Sequence, residues 1–440
     1  MKNKPIKPFD TLKQPEKPRP ILFPVELGGS AAFLLPVGGK INKVNCEGLE
    51  PPYLILANHA SFVDFPLIVK AIFPKRTNWV ISIEEFNGRE WLMRGVGGIY
   101  KRKFTSDITV VKHMLTVLRK RKGIVTMYPE ARFSLAGINE RLDDALGKFV
   151  KAARCPVVIF LAHGNFLRSP QWNKHPVRQV PVGATMTQIV TAEEAISLPA
   201  AEIQKRIEEA LVYDEYAWQA ENNIRIKSKK RAHNIHRILY QCPVCGEEFV
   251  TDSRDTKIWC NSCHAEWEMD ELGKLRRTDG GEDVFTHVPD WYLWEKENVY
   301  REVREGRYHF EDTVRLEELV NCGSAGFVTL GNVTLTHDRD GFKMHGKLDD
   351  GSDFDFHRSV RSMYSCHIEY NFKERGDAID LATLEKTYFV FPQTAHNVLT
   401  KIHFATEALY DVVTAEEKAA KEGEKPAETA EEDIDLSSRD

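Results

Sequence analysis

The chain lacks an uninterrupted apolar run of about 18 residues, which argues against a bilayer-spanning helix. Its nearest candidate, residues 21 to 37, is interrupted by Pro24, Glu26, a Gly-Gly pair and Pro36. A signal peptide is also missing, because the opening "MKNKPIKPFDTLKQPEKPRP" is polar and proline-rich with no apolar centre. A cytoplasmic chain is therefore expected. Its eight cysteines then read as reduced thiols or metal ligands, not as a disulfide framework. No Gly-x-Ser-x-Gly elbow surrounds Ser61, so a serine nucleophile is not expected there. A dominant charge is absent too. The net charge of −5 is unevenly spread: residues 415 to 440 hold ten acids against four bases, and the first twenty hold six bases against two acids. Residues 221 to 241 hold Arg225, Lys227, Lys229, Lys230, Arg231 and Arg237 against Glu221. Either basic stretch could touch anionic lipid, at roughly 1 kcal/mol per basic residue near the surface. The alternative is a solvated arm and linker.

What is present is the composition of a soluble globular protein, 42% hydrophobic and 28% charged in 440 residues. That length suits two or three domains of about 150 residues each. After a basic, proline-rich arm (1–19), residues 20–218 alternate short apolar runs with amphipathic ones. "PYLILAN", "NWVISI", "GIVTMYP" and "PVVIFLAHG" read as buried strands, and "DITVVKHMLTVLRKRK" and "RLDDALGKFVKAAR" as helices. In the first helix Ile108, Val111, Leu115 and Leu118 are expected on one face. A last helix, "LPAAEIQKRIEEALVYDEYAWQAEN", carries Ile203, Ile207, Ala210 and Leu211. The alternation predicts an α/β domain with a mixed, mostly parallel sheet and covering helices.

A basic linker (219–234) leads to residues 235–278. There Cys242-x2-Cys245 and Cys260-x2-Cys263 are separated by fourteen residues, against a common spacing of about 15–20. Two such turns present four thiolates to one tetrahedral zinc, and four cysteines leave no open position, so a structural ion is expected. The pattern resembles a zinc ribbon, with Phe249, Trp259 and Trp267 as its expected apolar cover. Residues 285–413 begin with the helix "PDWYLWEKENVYREVREG", continue as short alternating segments punctuated by Gly and Asp, and end in "TAHNVLTKIHFATEALYDVV". That final helix repeats Leu399, Ile402, Ala405, Leu409 and Val412. The order of elements resembles a pleckstrin-homology-like or GRAM-like β barrel closed by a C-terminal helix. The acidic tail (414–440) is expected to be disordered.

The chemistry concentrates in "LILANHASFVDFPLI", residues 54 to 68. His59 and Asp64 supply a base and a group to orient it. On one uninterrupted helix a five-residue offset would set them about 140° apart. The pair works only if His59 precedes a helix and Asp64 lies in its first turn, and Pro66 supports that start. The competing reading is a cap: Asp64 as N-cap, or Ser61 with Asp64 as a capping box.

Four ordered blocks weigh against the cap alone. "NHASFVD" resembles the Asn-His-x4-Asp motif of the glycerolipid acyltransferase family, the lysophosphatidate acyltransferase group. "GVGGIYKRKF" resembles its second block, "MYPEARFS" its third and "CPVVIFLAHG" its fourth. The preceding "ALGKFVKAA" is similar to the family's Gly-Lys helix. The third block departs from the usual Pro-Glu-Gly-Thr-Arg-Ser: Glu130-Ala131-Arg132 is one residue short and loses the Gly-Thr turn. In the second block the basic position is open among Lys101, Arg102 and Lys103, with Arg102 favoured.

The resemblance implies that His59 and Asp64 are catalytic, with Asn58, Ser61, Arg102, Glu130 and Arg132 as substrate-binding residues. His59 would take a proton from the acceptor hydroxyl, which attacks the thioester of acyl-CoA or acyl-carrier protein. Arg102 and Arg132 would hold an acceptor phosphate, and Glu130 would bind a glycerol hydroxyl or align Arg132. The implied acceptor is a lysophospholipid, 1-acyl-glycerol-3-phosphate first. A peripheral place at the inner face of an anionic membrane is expected. A protein partner for the zinc ribbon or β domain stays open, and nucleic acid is not expected. Two alternatives stand beside this: a thioesterase using the same pair with water, and a non-catalytic scaffold.

Overall fold

A computed structural model describes residues 9–174, 176–321 and 326–423. The first sheet has seven strands: β1 (Gly38–Val44), β2 (Tyr53–Ala57), β3 (Thr77–Ser82), β4 (Ile99–Lys101), β5 (Ile124–Met127), β6 (Val157–His163) and β7 (Val182–Val190), in the order β1-β7-β6-β2-β5-β3-β4. Every pairing is parallel except β6 with β7. The sheet is thus mixed and mostly parallel, and the four apolar runs read as strands are β2, β3, β5 and β6. All of β2 is buried, as a strand covered on both faces must be.

The helices of this part are α1 (Phe23–Leu34), α2 (Asp64–Ile72), α3 (Glu90–Gly95), α4 (Ile108–Leu115), α5 (Leu146–Ala153), α6 (Asn165–Arg168), α7 (Ala192–Ser197), α8 (Ala200–Ala210) and α9 (Glu215–Glu221). Two expectations need correction. In α4 the buried face is Val110, His113 and Met114, continued by Val117 and Leu118, whereas Ile108 is 68% and Val111 37% exposed. The sequence offers two apolar stripes there, and the sheet takes the one that continues into the π-helical turn Thr116–Lys120. The last helix divides into α8 and α9, because Asp214 caps the second by accepting from Ala217 N at 2.8 Å. Its stripe holds: Ile203, Ile207 and Leu211 are buried. Gly147 in α5 lets α8 approach, since a Cβ there would lie 2.1 Å from Ala200 O.

The second sheet, β8 (Thr251–Arg254), β9 (Lys257–Cys260), β10 (Glu266–Met269) and β11 (Leu275–Arg277), is antiparallel. Of its expected cover only Trp267 is fully buried. Phe249 is 39% exposed and stacks on Tyr240. Helix α10 (Val288–Arg304) leads into a third sheet of β12 (Phe310–Asn321), β13 (Gly326–Asp338), β14 (Gly341–Lys347), β15 (Asp353–Arg358), β16 (His367–Glu369), β17 (Ala378–Ala382) and β18 (Thr387–Pro392). Its order is β15-β14-β13-β12-β18-β17-β16, all antiparallel, and no ladder joins β15 to β16 among the described residues. The closing helix α11 (Leu399–Gly423) buries Leu399, Ile402, Ala405 and Leu409 as expected. It also runs on into the stretch expected to be a disordered tail, of which residues 424–440 lie outside the described residues.

The three sheets share cores. One cluster joins Phe104, Leu135 and Phe166 of the first part to Trp267 beside the cysteines and to Trp291, Val314 and Phe404 beyond them. A second joins Ile83, Phe86 and Tyr100 to Leu319, Phe389 and Phe391. The arm and linker are built in as well. Phe9 packs edge-on against Phe86 and Tyr100, and Arg231 donates to Met269 O at 2.6 Å.

Candidate functional site

Strand β2 ends at Ala57, and the chain turns before α2 begins at Asp64. Asn58 ties this turn to the neighbouring strand: its amide donates to Ala162 O at 3.0 Å and accepts from Ala162 N at 2.8 Å. Its place is structural, holding the end of β2 to the end of β6. Ser61 Oγ accepts from Val63 N at 3.3 Å. Asp64, wholly buried, accepts through Oδ2 from Ala60 N at 2.7 Å, Ser61 N at 3.0 Å and His59 Nδ1 at 2.9 Å. The cap readings are not met: Val63 stands at the N-cap of α2 with no side-chain cap bond, and Ser61 Oγ accepts from Val63 N and not from Asp64 N. The carboxylate closes the turn and orients the imidazole. With Nδ1–H given to Asp64, Nε2 is the free ring nitrogen, on a side chain 22% exposed.

The ring is held on its faces too. Tyr128 stacks on His59 at 3.8 Å between centroids, and Phe133 lies tilted at 4.0 Å. Ser134 N donates to His59 O at 2.7 Å. The third block thus wraps the histidine. Its shortened turn persists rather than being lost: Ala131 takes φ 55°, where a non-glycine residue is strained by about 1–2 kcal/mol, and donates to Tyr128 O at 3.1 Å.

The remaining expected residues are placed as follows. Glu130 is fully buried, and burial with Glu140 nearby pushes its carboxyl well above the usual range. Tyr213 OH lies 3.3 Å from its Oε2, and its Oε1 has no partner among the described residues. Glu130 and Arg132 form no ion pair. Arg132 instead turns to the third sheet and α11, where Nη1 lies 2.6 Å from His403 Nδ1 and Nη2 meets Ser365 and lies 3.5 Å from Glu407. Arg102 donates to Leu384 O and Glu385 O at 2.8 Å each, in the β17–β18 turn. His59 and Asp64 are therefore brought together beside Glu130, and the two arginines point into the junction with the third sheet.

Sequence reasoning missed Asn165, at the start of α6. It is fully buried, and its Nδ2 donates to Asp64 Oδ1, completing the cage around that carboxylate. The signal was the "HG" after "PVVIFLA": Gly164 takes φ 83° and turns the chain so that Asn165 reaches under β2. His163, just before it, has Nδ1 3.4 Å from Glu215 Oε1 and was likewise unremarked.

The four cysteines converge. Cys242 and Cys263 sulfurs are 3.7 Å apart and those of Cys245 and Cys260 are 3.8 Å apart, with all four within 4.8 Å of one another. A tetrahedral zinc with Zn–S of about 2.3 Å has sulfur–sulfur edges of about 3.8 Å, so the donor set fits the ion.

Residues 40–160 match the family model described as Acyltransferase. No curated protein matches the chain. Among solved structures, the chain is similar to the 1-acyl-sn-glycerophosphate (LPA) acyltransferase PlsC from Thermotoga maritima, at 16% identity over 43% of this chain and 77% of that one, with a TM-score of 0.35.

Proposed function

We propose that this chain moves a fatty acyl group from the thioester of acyl-CoA or acyl-carrier protein to the hydroxyl of a lysophospholipid. The observation that carries the reading is the His59–Asp64 pair, with Nε2 free, inside the segment matching the acyltransferase model. In this reading Nε2 accepts the proton of the acceptor hydroxyl as its oxygen attacks the thioester carbonyl. Asp64 stabilises the imidazolium that forms. The C–S bond then breaks, and His59 returns the proton to the departing thiolate, so no acyl-enzyme is formed. Glu130, whose Oε1 has no partner among the described residues, can hydrogen-bond the acceptor's glycerol. The resemblance to lysophosphatidate acyltransferases makes 1-acyl-glycerol-3-phosphate the first acceptor to try. His59→Ala is expected to abolish transfer and leave the melting temperature near that of the parent. Near-normal turnover in that variant would sink the mechanism.

The cysteines would hold one zinc as a structural ion that takes no part in the reaction.

The acceptor's home is a bilayer, and the molecule offers it an apolar face. Ile21, Val25, Phe33 and Leu35 in and around α1 are 80, 72, 49 and 83% exposed. Phe33 meets Phe62, itself 65% exposed and three residues from His59. A groove of about 440 Å³ opens beside them, lined by Leu27, Ala31, Leu34, Lys70 and Phe73. Among the described residues no helix is long and apolar enough to cross a membrane. We read this face as a peripheral contact with the inner leaflet. A Val25→Glu, Leu35→Glu double variant should lose liposome binding, and unchanged binding would remove the assignment.

A further inference from the structure

Each cation that the second and third blocks could offer an anionic acceptor already bonds the protein itself, though the Nε of Arg102 and of Arg132 has no partner among the described residues. Lys101 Nζ donates to Thr105 O at 2.9 Å. Arg102, 9% exposed, is fixed on the carbonyls of Leu384 and Glu385. Lys103 Nζ lies 3.4 Å from Asp380 and 3.9 Å from Glu84. Arg132, 3% exposed, is enclosed by His403, Ser365 and Glu407, with its guanidinium 4.9 Å over the Phe104 ring. These contacts lie within the cores that join the first and third sheets. Withdrawing Arg132 would leave the buried carboxylates of Glu140 and Glu407 short of a counter-charge, a costly state.

What surrounds His59 in their place is aromatic and acidic. Tyr128 and Phe133 flank the ring, and the buried carboxyl groups of Asp64, Glu130 and Glu215 lie close enough to influence one another. A phosphate monoester brings a charge of about −1.5 to −2 at neutral pH. Seated here it would meet, from either block, no cation that is not already bonded within the protein, and it would sit beside the buried carboxyl of Asp64.

We infer that the acceptor presents its hydroxyl beside a headgroup of zero net charge, as in a monoacylglycerol or a zwitterionic lysophospholipid, and that Arg102 and Arg132 serve as structural residues of the domain junction. The inference rests on the acyl-transfer reading and narrows its acceptor. A further guanidinium lies on the helix that begins with Asn165: Arg168, at the end of α6, has a buried Nη1 with no partner among the described residues. It is the cation a phosphate could still recruit, so it belongs in the test.

The full-length chain is assayed with palmitoyl-CoA and palmitoyl-carrier protein in turn. The acceptors are detergent-dispersed lysophosphatidate, lysophosphatidylcholine, lysophosphatidylethanolamine and monoacylglycerol. At least one net-neutral acceptor is expected to exceed lysophosphatidate in kcat/KM by about tenfold or more. Which of them turns over identifies the source of the neutral headgroup. Arg102→Gln should lower the melting temperature and change KM for all acceptors alike. If that variant does not fold, the ranking by the unaltered chain decides alone. Lysophosphatidate as the best acceptor would overturn the inference, as would an Arg102→Gln or Arg168→Gln variant that raises KM for lysophosphatidate selectively. Absence of turnover with all four acceptors and both donors would sink the acyl-transfer reading itself.

Discussion

Asp64 shows how much one side chain can be asked to do. Its Oδ2 closes the turn after β2 and orients His59, while Asn165 holds its Oδ1. Removing Asn165 leaves a buried carboxylate oxygen unpaired and lets the carboxylate rotate. Asn165→Ala should lower kcat about ten- to hundredfold with KM little changed, a loss of roughly 1.4–2.7 kcal/mol of transition-state stabilisation. A steady-state assay that finds kcat unaltered would remove Asn165 from the positioning of the base. At this scale the sequence was legible where partners are near in the chain. His59 and Asp64 are five residues apart, and Pro66 places the helix start. Asn165 is 101 residues from Asp64, and the Gly164 turn before it marks a bend but not that partner.

At the scale of elements, the sequence read well wherever burial is two-sided. Strands β2, β3, β5 and β6 are runs of large apolar residues, and the structure contains all four. Strands β1 and β7 escaped notice because "GGKINKV" and "VGATMTQIV" mix small, polar and apolar residues, at the edge of the sheet and next to it. In α4 two stripes competed, and only the sheet chooses between them. The cysteine pairs are the element most readable from spacing alone, because metal geometry and not packing sets them. The chain as purified is expected to carry one zinc per molecule by metal analysis. Cys242→Ser with Cys245→Ser should release it and lower the melting temperature, because Trp267 beside the cysteines shares the large core with Trp291. Retention of stoichiometric zinc by that variant would remove the assignment.

At the scale of the molecule, the sheets are joined by common cores. One-dimensional patterns do not show this, because they mark where apolar faces are, not which faces meet. The third sheet and α11 also carry buried histidines. Burial holds His337 down at about 3 and His367 at about 4, and it lowers His403 as well. Once unfolded, each binds a proton near pH 6.5. Above that pH their contribution to stability is fully present, and it is lost as pH falls toward the folded values, where the unfolded chain binds more protons. Thermal unfolding followed between pH 7.5 and 4.5 should show a falling melting temperature. His337→Gln should flatten that slope, and an unchanged slope in the variant would show that other groups carry it.

The contacts of Arg132 have a consequence in time. Its partners His403 and Glu407 lie 271 and 275 residues further along the chain. A ribosome making about 5–20 residues per second needs at least ten seconds or so to reach them. For that interval the loop that wraps His59 exists without the groups that fix its arginine. Arg132 therefore gains these partners only once α11 has been made, and a nascent chain whose first sheet has already formed still waits for them.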